Sequence, residues 1–115
     1  LLQDDKMTFA LVNLGMWYYY VPGIAGGDKQ KTYEFVKKSV ENARTSSEEY
    51  FSKIIYSQVI FELDKKDEAK TLLEEAKSLC PESQSISLME KLNKLGISWI
   101  EYSANPKKYD KKLKG

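Results

Sequence analysis

The residue types that carry most enzyme chemistry are scarce in this chain of 115 residues. It has no histidine, the commonest general base and a frequent metal ligand, and its single cysteine is Cys80. Cys80 therefore has no histidine with which to form a nucleophilic dyad, and a single cysteine cannot form an internal disulfide. The adjacent carboxylates Glu48-Glu49 and Glu74-Glu75 fall on polar helix faces, where solvation explains them. We predict a non-catalytic protein with no metal site and no cofactor.

A glycine-rich segment at 23–27 precedes Asp28 and a predicted helix. Helix N-termini bind anions, so the segment has one feature of a phosphate site. A P-loop also needs a preceding strand and a Gly-Lys-Ser/Thr ending, and neither is found here. Asp28 would moreover place a negative charge where the phosphate has to lie. We interpret the segment as a structural turn and Asp28 as the cap of the next helix.

The aromatic run over residues 16–20 is the stretch that most favours a binding function. Neighbouring residues on a helix point about 100° apart, so three adjacent rings cannot all face one core. The structural alternative is that these rings pack against a neighbouring helix or a second copy of the chain.

Apolar periodicity predicts an all-α protein of about five antiparallel helices. The predicted helices cover about 4–20, 28–44, 47–63, 67–80 and 84–103. Asp4 and Asp5 can cap the first helix, a Ser46-x-x-Glu49 capping box the third, and Asp67 the fourth. The third helix is apolar on nearly every side, which predicts a central position. Residues 1–104 are expected to form one domain.

Two patterns alternate along these helices. Leu11-x2-Leu14-Gly15-x2-Tyr18 and Leu92-x2-Leu95-Gly96-x2-Trp99 resemble the first-helix pattern W-x2-L-G-x2-Y of the tetratricopeptide repeat (TPR). Ala69-x3-Leu73-x2-Ala76-x4-Pro81 resembles its second-helix pattern A-x3-F-x2-A-x4-P. Gly15 costs a helix about 1 kcal/mol relative to alanine, which predicts close packing of a neighbouring helix. The chain thus resembles TPR proteins over about 7–103.

The resemblance implies two helix pairs and a capping fifth helix, stacked as a right-handed superhelix with a concave, partner-binding groove. The positions that it implies for the groove are Phe9, Val12, Met16, Tyr19, Tyr20, Phe51, Ile54, Gln58, Phe61 and Glu62, with Asn93, Ile97, Ile100 and Glu101 from the fifth helix. Such a surface is apolar and aromatic, as binding grooves are. TPR domains that clamp a carboxylate use lysine and asparagine where Val12, Met16 and Ile54 stand here, which argues against that mode. We expect an open groove that binds a protein or peptide partner.

Two other functions stay open. The Pro22…Gly26-Gly27-Asp28 turn is similar to that of the T-component lipoproteins of bacterial TRAP-type transporters. That resemblance implies a solute- or lipid-binding accessory subunit of an envelope transporter, with the aromatic groove as its pocket. The chain can also be read as an oligomerisation unit. A closed cavity between helices would favour solute binding, whereas an open groove filled by a neighbouring chain would favour assembly.

Charge and hydropathy give no reason to expect nucleic acid or a membrane as partner. The 18 basic and 17 acidic side chains nearly cancel, and no apolar run approaches the ~20 residues of a membrane span. Residues 105–115 hold five lysines and Asp110, and we predict a disordered, solubilising tail. The chain begins Leu1-Leu2-Gln3 without methionine. The missing signal peptide therefore leaves a cytoplasmic and an envelope location open.

Overall fold

The computed structural model describes residues 7–20 and 28–114, and all regular structure within these ranges is helical. The helices are α1 (Met7–Tyr20), α2 (Lys29–Glu41), α3 (Ser46–Glu62), α4 (Lys66–Leu79), α5 (Gln84–Lys94), α6 (Trp99–Ala104) and α7 (Pro106–Lys114). The predicted all-α class is confirmed. The predicted number of helices differs, because the described residues form seven. The caps expected at Asp4 and Asp5 and the turn at 22–27 lie outside the described residues.

Helix α3 is the centre of the fold, as its apolar sequence predicted. It contacts α1, α2, α4, α5 and α6. Its second half is buried on every side over the continuous run 54–61. Each fully buried large apolar side chain contributes about 1.5–3 kcal/mol of transfer free energy, so this one helix supplies much of the core.

Helices α1 and α2 pack closely at Gly15. A Cβ atom built there would lie 2.8 Å from Val36 Cγ2 and 3.2 Å from the Thr32 carbonyl oxygen. The backbone N–H of Asp28 donates to the Tyr18 carbonyl at 2.9 Å, so α2 begins beside the end of α1 and the two helices run antiparallel. The prediction that Gly15 permits a close helix–helix approach is confirmed.

The cap of α2 is as predicted, and that of α3 is shifted by one residue. The Asp28 side chain accepts from the first backbone N–H groups of α2. At α3 the N-cap is Thr45, whose hydroxyl accepts from the Glu48 N–H at 3.1 Å. The Glu48 carboxylate reaches back to the Arg44 N–H at 3.0 Å. The hydroxyl cap predicted at Ser46 therefore forms one position earlier, at Thr45, and the Glu48 carboxylate accepts from the residue before the cap rather than from the N-cap N–H of a capping box.

Helix α4 buries the three helical positions of the repeat-like pattern, but it does not begin at the predicted cap, and Leu79 at its end is exposed. Ala69, Leu73 and Ala76 are buried. The helix begins at Lys66 after Lys65, which makes no side-chain capping bond. Asp67 instead lies inside the first turn, where its charge favours the positive end of the helix dipole.

The predicted helix over 84–103 is interrupted after Lys94. Gly96 has a left-handed backbone with φ of +81° and donates to the Asn93 carbonyl at 3.0 Å. The Ile97 N–H donates to the Leu92 carbonyl at 3.0 Å, which completes a Schellman ending. Gly96 therefore stops α5, so the second Leu-x2-Leu-Gly match is not one continuous helix. Ser98 then caps α6.

The lysine-rich segment is a helix, α7, where we predicted a disordered tail. Tyr109 belongs to a buried cluster with Leu92 and Ile97, and Leu113, one helical turn later, packs against this cluster. Tyr109 is only 6% exposed, and its hydroxyl donates to Glu101 Oε2 at 2.8 Å. Lysines outnumber the two residues of this short apolar stripe, so the charge count of the segment did not reveal it.

Candidate functional site

Helix α1 exposes an apolar surface. Its 14 residues include no charged side chain. Five of the seven large apolar side chains that are exposed among the described residues belong to it. We call these five the α1 outer face: Met7, Phe9, Leu14, Trp17 and Tyr20. Trp17 and Tyr20 are each 51% exposed, so about half of each side chain is accessible to a partner.

The buried side of α1 determines which residues form this outer face. Thr8, Val12 and Gly15 are buried, and the Thr8 hydroxyl donates to the Ser39 carbonyl of α2 at 3.2 Å. At about 100° per residue, Trp17 points about 200° away from Gly15, on the opposite side of the helix. The close Gly15 contact with α2 therefore directs Trp17 to solvent.

Ring contacts hold the aromatic side chains of α1 in place. The Phe9 ring lies 5.3 Å from the Phe51 ring of α3, which extends the outer face onto the central helix. Trp17 meets Tyr18 edge to face at 4.9 Å. Tyr18 in turn stacks on Phe35 of α2 at 5.6 Å. Such pairs restrict ring motion, so less conformational entropy is lost when a partner binds.

The ten predicted groove residues do not share one open surface. Those that are buried are Val12, Ile54, Gln58 and Phe61. Those of intermediate exposure are Met16, Tyr19, Phe51 and Glu62. Only Phe9 and Tyr20 are exposed. The expectation of a continuous open groove along α1 and α3 is therefore wrong, whereas the binding role of the accessible members stays a prediction.

An amide network explains why this part of α3 is covered. The Gln58 side-chain oxygen accepts from Asn93 Nδ2 and from the Trp99 backbone N–H, each at 2.9 Å. Its Nε2 donates to Asn93 Oδ1 at 3.1 Å and to Ser57 Oγ at 3.0 Å. Gln58 is 0% exposed, with its polar atoms paired. These bonds attach α5 and the start of α6 to α3 and cover the Gln58 side chain.

A second network joins three helices to the end of α3. Glu62 Oε2 accepts from the Tyr19 hydroxyl and from Ser98 Oγ, both at 2.7 Å. Glu62 Oε1 lies 3.3 Å from Lys29 Nζ. Burial, and then the hydrogen bond to Glu62, raise the pKa of Tyr19 well above its ordinary value. Tyr19 is thus a neutral donor that positions helices rather than an acid–base group.

The groove positions predicted in the fifth helix are also divided between buried and exposed residues. Ile97 and Ile100 are buried, and Asn93 is part of the Gln58 network. Glu101 is exposed. In the parts of the chain that the structure describes, no three histidine, cysteine or acidic side chains are grouped so as to hold a metal ion. Across 7–20 and 28–114, no helix has the length and apolar character needed to cross a bilayer.

The groove positions implied by the repeat pattern omit Leu14 and Trp17, although Trp17 lies in the aromatic run that favours a binding function. The usable signal was the helical angle measured from Gly15, which places Trp17 opposite the packed face.

The comparisons with known proteins add no relative. No protein-family model, no curated protein and no solved structure matches this chain.

Proposed function

We propose that this protein is a non-catalytic interaction module that binds a protein or peptide partner through the α1 outer face and the adjoining Phe51. In this proposal the helix pairs α1–α2 and α3–α4 stack as in TPR proteins and form the scaffold. The partner-binding surface is narrower than the groove expected from the repeat pattern. It lies along α1 and leaves out the buried half of α3.

The observation that carries the proposal is the uncharged, exposed apolar surface of α1. Exposed apolar residues scattered singly are normal, but here five belong to one helix of 14 residues. Contiguous apolar patches on soluble proteins commonly mark interaction sites. Trp and Tyr are also the residue types most enriched among side chains that dominate binding energy, and both occur here half-exposed.

The absence of charge on α1 determines the chemistry of the partner. A carboxylate or ammonium buried against this face would find no opposite charge on α1, and an unpaired buried charge is costly. The partner surface should therefore be apolar and aromatic, with its charges at the rim. An amphipathic helix presenting a continuous apolar stripe meets this requirement.

The test is a selection of peptides from a random library displayed on phage against the whole protein. We expect the selected peptides to carry aromatic and aliphatic residues at helical spacing and no charge within that stripe. Trp17→Lys with Tyr20→Lys should weaken their binding by about tenfold or more, because both anchors are lost and charge is introduced.

The matched control is Gln30→Lys with Gln84→Lys, which adds the same charge at exposed positions outside α1. Peptides that bind both double variants equally well would contradict the proposal. Sedimentation velocity of the same proteins tests for a second copy as the occupant. Self-association that the α1 variant abolishes, and the control retains, would identify the partner as another molecule of this chain.

A further inference from the structure

A cavity lies between the end of α3, the first turns of α4 and the last turns of α5. Its volume is about 250 Å³. The apolar part of its wall comes from Phe61 and Leu73. Small-molecule sites usually measure about 300–1,000 Å³, so this cavity lies just below that range and suits only a small ligand.

Three lysines line this cavity: Lys66 and Lys70 from α4, and Lys94 from α5. Lys66 Nζ lies 5.6 Å from the centre of the Phe61 ring, so one ammonium group is held directly over the apolar wall. Among the ion pairs of the described residues, none involves any of the three lysines. All three lysines are exposed residues.

The two carboxylates of the cavity do not cancel this charge. Glu90 Oε1 lies 3.8 Å from Lys77 Nζ, which is not part of the cavity lining, so its charge is already partly matched. Asp67 is the other carboxylate. Three lysines against two carboxylates, one of which also pairs with Lys77, leave the cavity lining with a net charge of +1.

We infer that this cavity binds a small amphipathic anion, with an apolar body against Phe61 and Leu73 and a carboxylate or sulfonate among Lys66, Lys70 and Lys94. An apolar wall combined with cationic side chains fits an anion that has an aromatic or short aliphatic body. Neutral apolar molecules would leave the lysines without a counter-charge, and fully polar anions would not fill the apolar wall. The site is independent of the α1 outer face and does not require the proposed function.

The experiment uses 2-naphthoate as the anionic probe and 2-naphthamide as its neutral isostere, both titrated into the full chain by calorimetry at low salt. We expect saturable binding of 2-naphthoate with one site per chain, and binding of the amide at least fivefold weaker. Lys66→Gln with Lys94→Gln should weaken 2-naphthoate binding by about tenfold, the loss expected for two charge-assisted contacts.

The matched control is Lys111→Gln with Lys112→Gln on α7, which removes the same charge at exposed positions outside the cavity. It should change the affinity for 2-naphthoate by less than about twofold. Trp17→Lys with Tyr20→Lys should likewise leave it unchanged, which separates this inference from the proposed function. An equal loss in the two lysine variants, equal binding of acid and amide, or no saturable binding would each overturn it. Circular dichroism of each variant verifies that the fold is retained.

Discussion

Two helices of this protein depart from the usual relation between residue type and burial at particular positions. Helix α1 has no charged residue and exposes Trp17 and Tyr20, each by 51%. Helix α3 buries Gln58 at 0% exposure and keeps the Glu62 side chain at 13%. At these positions burial depends on which neighbours each helix has, and residue polarity alone does not predict it.

The reason for the difference is the number of neighbours. Helix α3 has helices around it, and its polar side chains are buried because α5, α6 and α1 supply partners for their hydrogen bonds. Helix α1 packs mainly on α2 and α3, so its apolar character exceeds what the described fold can cover. The buried Gln58 amide, with its hydrogen bonds made, has a structural role. The uncovered α1 outer face is the surface on which the proposed binding function rests.

The largest effect should come from removing the buried amide. Gln58→Ala leaves the Trp99 N–H and the Asn93 side chain without their main partner and creates a cavity. Each unsatisfied buried polar group costs about 1–3 kcal/mol, so we expect the free energy of unfolding to fall by about 3 kcal/mol. Urea denaturation followed by circular dichroism measures this change.

Gln30→Ala is the matched control, because Gln30 is exposed on α2. It should change the free energy of unfolding by less than about 0.5 kcal/mol. A loss below 1 kcal/mol for Gln58→Ala would mean that α5 and α6 are not held on α3 through this amide.

The sequence predicted the scaffold better than the surface. Periodicity identified the helical class, the central α3 and the close contact at Gly15, since these depend on local pattern and residue size. It missed the break at Gly96, because a glycine within an apolar pattern fits both a packed helix and a helix ending. The sequence pattern predicted Gln58 in a groove. Its hydrogen-bond partner Asn93 lies 35 positions later, and a pattern of neighbouring residues cannot predict such a contact.

The next effect tests how closely α1 packs on α2 at Gly15. Gly15→Ala places a Cβ atom 2.8 Å from Val36 Cγ2, so the two helices must move apart. Overpacking costs about 1–3 kcal/mol, and the better helix propensity of alanine returns at most about 1 kcal/mol. We expect a net loss of about 1–2 kcal/mol in thermal or urea unfolding. Asn13→Ala, exposed on the same helix, should instead be neutral or slightly stabilising.

A smaller effect concerns the hydrogen bond from Tyr19 of α1 to Glu62 of α3. Tyr19→Phe removes the donor to Glu62 and should cost about 1 kcal/mol at pH 8. Because burial and Glu62 raise the folded pKa of Tyr19, its contribution is complete below pH 10 and is lost as pH rises above 10. There the unfolded chain releases the proton and the folded protein retains it. The difference between wild type and variant should therefore shrink between pH 8 and pH 10.5 in urea titrations.

Tyr20→Phe serves as the control for this pH series, since the Tyr20 ring is half-exposed at the end of the same helix. Its effect on stability should stay within about 0.5 kcal/mol at both pH values. A difference between wild type and Tyr19→Phe that grows with pH would mean that Tyr19 ionises more easily in the folded protein.

The smallest effect on stability should come from the residue that matters most for the proposed function. Trp17→Lys keeps a long apolar stem against the Tyr18 ring and improves helix propensity, while the ammonium group remains in water. We expect the free energy of unfolding to change by about 0.5 kcal/mol or less, measured by circular dichroism in urea. The same lysine at Val12, which is 2% exposed on the opposite side of α1, would bury a charge and should prevent stable folding. If Trp17→Lys destabilised the chain as severely as Val12→Lys, Trp17 would be part of the core, and the difference between the two faces of α1 would disappear.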